Sequence, residues 1–121
     1  MQSYTIQEWI EDYAFAVRLT VDPDATPTSV KEKEREYFYS KYQGVEAIGR
    51  FVRFRKAMQF LDQHFDDLSF GRACVAGDKM HLVAQPLVRA LHEYFTAIRP
   101  EQIDESPTVD HIKQLAIKHG A

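Results

Sequence analysis

The chain has 121 residues, 45% of them apolar and 27% charged, with a formal charge of −3. These values exclude disordered and collagen-like classes, and the length suits a single domain over 1–121 with a core that needs no metal or disulfide staple. The mild negative charge gives no global pull toward nucleic acid or anionic lipid, and the lone Cys74 excludes an intrachain disulfide and a multi-cysteine metal site.

Thr5-Ile6-Gln7-Glu8 has the form of a capping box, so a first helix is expected from there to about Leu19. Ile6, Trp9, Ile10, Tyr13, Val17 and Val21 would share one face, and Glu8, Glu11 and Asp12 fall on its polar side. The stretch from Val21 to Thr28 holds Pro23 and Pro27 among polar turn residues and reads as a loop. Ser29 to Glu32 offers a second capping box. The helix that follows opens on charged residues, Lys31 to Glu36, which should be solvated, and closes on Tyr37, Phe38, Tyr39 and Tyr42, which should be packed.

The two strongest signals come next. Ala47, Phe51, Phe54, Met58, Leu61 and Phe65 recur in steps of four and three residues, and so do Met80, Ala84, Leu87, Leu91, Tyr94 and Ile98. Such steps keep side chains on one stripe of an α-helix, so each segment predicts a helix with a long buried seam. The short connection between them favours an antiparallel pair. Val45, Ile48 and Val52 form a second apolar arc on the first of these helices, which predicts a central helix buried on two sides. The second seam, if continuous, carries Pro86 inside a kinked helix. The alternative is a β-hairpin over 72–84, turning at Gly77-Asp78, with Pro86 then opening the next helix. After an acidic loop, Ser106 to Thr108 starts a last short helix with Val109, Ile112, Leu115 and Ala116 on one side. The expected fold is therefore all-α, a compact bundle of about five helices with a central antiparallel pair; the alternative is α+β with one hairpin.

Few residues suggest chemistry. The five histidines contain no Glu-x-x-His or His-Glu-x-x-His pair, and His81 and His92 would lie roughly 16 Å apart on one helix, so no metal site is expected. Cys74 and His81 could be imagined as nucleophile and base, but a lone cysteine in an apolar stretch is ordinarily a small buried hydrophobe. No phosphate-binding glycine loop, serine nucleophile motif or calcium loop occurs, so neither a cofactor nor catalysis is expected. Arg50, Arg53, Arg55 and Lys56 are interleaved with Phe51 and Phe54, a pattern that suggests nucleic-acid contact. At about 100° per residue these cations point in different directions, which disfavours that alternative and leaves Arg53, Lys56 and Phe60 as an outward arc. Tyr37, Tyr39 and Tyr42 exceed what one core stripe can bury, and surplus tyrosine marks interfaces.

These observations predict a small non-catalytic interaction or regulatory protein, acting through contact with a protein partner or with a second copy as a homodimer. Tyr37, Tyr39, Tyr42, Arg53, Lys56 and Phe60 are its candidate contact residues. The alternatives are a nucleic-acid-associated protein using the basic arc and a ligand carrier or enzyme with a pocket between helices. No run approaches the ~18 apolar residues of a membrane span, and the first residues lack the basic and apolar regions of a secretory signal. A cytoplasmic protein without membrane attachment is expected.

Overall fold

The computed structural model describes residues 3–20, 22–64, 85–98, 100–102 and 107–120. Among them the regular structure is helical, with no strand: α1 is Ile6–Thr20, α2 Pro27–Lys41, α3 Gly44–His64, α4 Gln85–Ala97 and α5 Val109–Lys118, with a 3-10 turn at Pro100–Gln102. The fold is an all-α bundle, as the seams require. The choice between kinked helix and hairpin over 72–84 lies outside the described residues.

Local chemistry explains where the helices begin. Glu8 N–H donates to Thr5 Oγ1 at 3.1 Å and Thr5 N–H donates to Glu8 Oε1 at 3.1 Å, so the first capping box forms as written in the sequence. The second forms three residues earlier than expected: Ser29 N–H donates to Thr26 Oγ1 at 3.1 Å and Thr26 N–H to Ser29 Oγ at 2.9 Å. The reason is Pro27. Its missing N–H costs nothing in a first helical turn and its fixed φ suits that position, so the helix starts on the proline rather than after it. Gly44 takes a φ of 60° where the chain passes from α2 into α3, a backbone conformation that glycine adopts without steric cost. At α5, Thr108 Oγ1 caps the helix by accepting from His111 N–H at 3.2 Å.

Packing follows the seams. On α3, Ala47, Phe51, Phe54, Met58 and Leu61 are all buried; on α4, Leu87 and Leu91 are buried while Tyr94 and Ile98 pack at the core's border. Val21, Phe65, Met80 and Ala84 lie outside the described residues. α3 packs against α2 and α4, and α4 also meets α1 and, most extensively, α5. Arg53 reaches the Ile98 carbonyl while Phe60 lies beside Phe95, so later residues of α3 meet earlier residues of α4, as antiparallel helices do. Trp9 joins three helices, edge-on to Phe54 with ring centroids 5.4 Å apart and donating its indole N–H to the Val88 carbonyl at 3.1 Å.

Two expectations about solvent exposure are corrected. Val45 and Ile48 are 79% and 53% exposed, so the second arc of α3 is not a second buried side. The buried half of α3 runs instead through Arg50, Arg53, Ala57 and Phe60, adjoining the seam. The charged start of α2 is not wholly solvated either, because Glu34 is 2% exposed and Arg55 of α3 pairs with it at 2.9 Å. A carboxylate survives burial when such a partner offsets its lost hydration.

Candidate functional site

The surplus tyrosines divide between two environments. Phe38 is buried, and a helix that turns Phe38 inward carries Tyr42, four residues on, to the same side and Tyr37 and Lys41 to its flank. α1 brings Asp12 to this face. Asp12 is 1% exposed and accepts four hydrogen bonds: Oδ1 from Tyr37 Oη at 2.7 Å and Lys41 Nζ at 2.8 Å, and Oδ2 from Tyr42 Oη at 2.7 Å and from the Tyr4 hydroxyl. A carboxylate offers about four lone-pair directions, so this one is fully used. It cannot take a proton from a substrate without giving up a structural bond, and the arrangement is suited to holding α1 and α2 together rather than to acid–base work.

Arg50 covers the hub from α3. Its guanidinium lies 4.9 Å from the Tyr4 ring centre and 4.4 Å from that of Tyr42, and it pairs with Glu8 at 2.6 Å and Glu46 at 2.5 Å while donating to the Ser3 carbonyl at 3.2 Å. The electrostatics agree with the geometry. Burial, then the bond to Asp12, pushes the Tyr37 hydroxyl up to about 12, and the same causes push Tyr4 and Tyr42 further above the ordinary phenol range. All three phenols therefore remain donors at neutral pH. Burial works against the charges of Lys41 and Glu8, yet hydrogen bonds to Asp12 and Tyr37 hold the Lys41 ammonium above its ordinary range, and bonds from Arg50 and Thr5 hold the Glu8 carboxyl below its own.

Sequence reasoning sets Asp12 on the polar side of the first helix, with Glu8 and Glu11. The structure corrects this: Asp12 falls at the edge of the buried arc that includes Trp9 and Ala16, three residues before it and four after. The signal available was the tyrosine surplus itself, since buried hydroxyls require an acceptor.

Of the candidate contact residues, Tyr39 faces outward. It is 43% exposed, edge-on to Phe51 with centroids 6.2 Å apart, and Arg35 sits 5.3 Å from its ring centre. Tyr37 is half-buried, stacked on Phe15 at 4.0 Å, and Tyr42 is buried in the hub. The outward arc expected of Arg53, Lys56 and Phe60 is not formed. Phe60 is buried against Phe95 and His64. The buried Arg53 donates to the Gly49 carbonyl at 3.3 Å and the Ile98 carbonyl at 3.4 Å, and Gly49 makes room for it: a Cβ there would stand 3.3 Å from the guanidinium. Of the three, only Lys56 reaches the surface, partly exposed.

What sequence reasoning missed is the apolar surface beside Tyr39. Val45, Ile48 and the partly exposed Val52 fall within about 60° of one another around α3. Ile48 lies one turn before Phe51, the residue on which Tyr39 rests. Among the described residues no group of histidine, cysteine, aspartate or glutamate side chains could hold a metal ion, and no helix is long and apolar enough to cross a membrane. Cys74 and His81 lie outside the described residues. Comparison with protein-family models, curated proteins and solved structures finds no match for this chain.

Proposed function

We propose that this chain is a small non-catalytic interaction or regulatory module whose contact face is the Tyr39–Val45–Ile48 surface. The observation that carries the reading is the exposure of Val45 and Ile48 on the arc of α3 outside its buried half. Adjoining exposed apolar side chains are the mark of surfaces that another molecule covers. The hub at the junction of α1, α2 and α3 supports the same reading. Asp12, Lys41, Tyr42 and Arg50 fix the end of α2 against α1 and α3, so Tyr39 and the first turns of α3 are held in place before any partner arrives, which lowers the ordering cost of binding. The saturated carboxylate of the buried Asp12 speaks for a structural use of this acid.

Self-association is the first form of this function to test. Sedimentation velocity over a wide concentration range should show the weight-average mass rising for the parent chain and staying at one protomer for Ile48→Glu. A parent chain that remains a monomer at high concentration removes the homodimer, and a co-purifying protein retained equally by Ile48→Glu removes this face.

A further inference from the structure

A buried cation lies beside the exposed apolar arc of α3. Arg53 is 9% exposed, and its guanidinium donates from Nη1 to the Gly49 carbonyl at 3.3 Å and from Nη2 to the Ile98 carbonyl at 3.4 Å. No carboxylate among the described residues pairs with it: Arg50 engages Glu8 and Glu46, and Arg55 engages Glu34. We infer that the protein partner covering the Tyr39–Val45–Ile48 face seats an acidic side chain against Arg53, at the notch left by Gly49. The inference rests on that face being the contact surface.

A guanidinium carries five N–H donors and no acceptor. Here the described residues supply acceptors for two of them, both backbone carbonyls and both beyond the usual N–H···O range of about 2.7–3.2 Å. The Ile98 carbonyl follows the last residue of α4, where the helix dipole is negative, and so offsets part of the charge. That makes Arg53 tolerable in the free protein without neutralising it. A buried charge stays costly until an opposite charge meets it, and the planar fork of arginine fits a carboxylate through two parallel hydrogen bonds.

The notch borders the contact face. At about 100° per residue, Gly49 stands about 40° from Val45 and about 60° from Val52 around α3, and about one turn from each along it. Val45 is exposed, and Gly49 and Val52 are partly so. A Cβ on Gly49 would stand 3.3 Å from Arg53 Nη1, so the guanidinium lies beside the space of the missing side chain. A segment laid over Val45, Ile48 and Val52 therefore carries a side chain past Gly49, and an aspartate or glutamate there meets the guanidinium. The acid on the adjoining turn, Glu46, is already held by Arg50 at 2.5 Å and leaves that role to the partner. The face is matched to apolar residues flanking one acid, and a partner offering lysine at the same point would meet a like charge.

The test titrates the full chain with hexanoate, a carboxylate on a short apolar chain, and with hexylammonium, the same chain with opposite charge, at matched ionic strength. Heteronuclear NMR follows the Arg53 Nε–H and the Gly49 and Val52 amides. Hexanoate should move all three, with half-saturation on the order of 10 mM for a ligand of this size, and hexylammonium should act about tenfold more weakly or not at all. Arg53→Gln, and Gly49→Ala, which puts a methyl group in the notch, should each weaken hexanoate about fivefold or more, with circular dichroism confirming the helices. Should Arg53→Gln unfold, Gly49→Ala, at a partly exposed position, decides. An Arg53 resonance unmoved by hexanoate, an equal response to both probes, or binding unaltered in the folded variants overturns the proposal. A response at Arg53 with none at Val52 marks an adventitious anion site only and overturns it too. Association that Ile48→Glu leaves unaltered in sedimentation removes the contact face, and this proposal with it, even where hexanoate binds, so the two failures are told apart.

Discussion

Asp12 and Lys41 form an ion pair at 2.8 Å in which the carboxylate has no contact with water while the ammonium still reaches it. The asymmetry decides what each truncation does. Removing Lys41 leaves Asp12 with three phenol donors; removing Asp12 leaves three buried or half-buried hydroxyls and a cation without their acceptor. Breaking a buried pair costs about 3–5 kcal/mol, and because Lys41 can turn to solvent, Asp12→Ala should fall at the lower end, about 3 kcal/mol. Tyr4→Phe and Tyr42→Phe should each cost about 1–2 kcal/mol, more than Tyr37→Phe, whose hydroxyl sits nearer water. Urea unfolding of the four variants checks the order.

The same hub sets an alkaline limit. The Tyr37 hydroxyl titrates at about 12 when folded against an ordinary value of 10.0. A group whose folded pKa is raised contributes stability that is fully present below its unfolded pKa and is lost as pH rises through the folded one. Stability should therefore fall from about pH 10 upward, and tyrosinate absorbance should grow together with loss of helical circular dichroism. In Tyr37→Phe the fall should be shallower. An unfolding curve that is flat between pH 10 and 12 would contradict this.

The helices were legible in the sequence because their signals are local and periodic: Phe51, Phe54 and Met58 are buried where a four-three rhythm puts them. The polar interior was not legible, because Asp12 becomes an acceptor only when α2 delivers hydroxyls from about thirty residues away. Arg53 misled for a related reason. A cation between aromatics was read as outward-facing, yet Gly49 leaves a notch through which its guanidinium reaches two carbonyl oxygens. Val45 and Ile48 misled in the other direction. Periodicity shows that they share a face but not whether a neighbouring element covers it, and among the described residues both stand exposed.

At acid pH the carboxylates of Glu8 and Glu93 should matter. Both are held below their ordinary value of 4.5, Glu8 against the opposing effect of burial by Arg50 and Thr5, and Glu93 by Lys118 and His119. A depressed folded pKa contributes stability that is present above the unfolded value and is lost as pH falls through the folded one. Melting temperature should thus decline below about pH 4.5, and Glu93→Gln should blunt the decline only slightly, since partly exposed pairs contribute about 0.2–1 kcal/mol. Glu8→Gln should blunt it more, because its partner Arg50 is buried. Thermal scans between pH 3 and pH 7 distinguish the two.

The two sides of α3 give the sharpest contrast. Phe51 and Ile48 are one turn apart, the first 8% exposed against Phe38 and Tyr39, the second turned to water. Phe51→Ala removes a packed ring and should cost about 3–5 kcal/mol, whereas Ile48→Glu and Val45→Glu should change stability by no more than about 0.5 kcal/mol. The glutamates place charge on the proposed contact face without disturbing the core, so a loss of association in them is a loss of binding and not of folding. Measuring denaturant midpoints and sedimentation on the same preparations separates the effects. If Ile48→Glu proves as costly to stability as Phe51→Ala, the side chain belongs to the core and cannot serve as a contact surface.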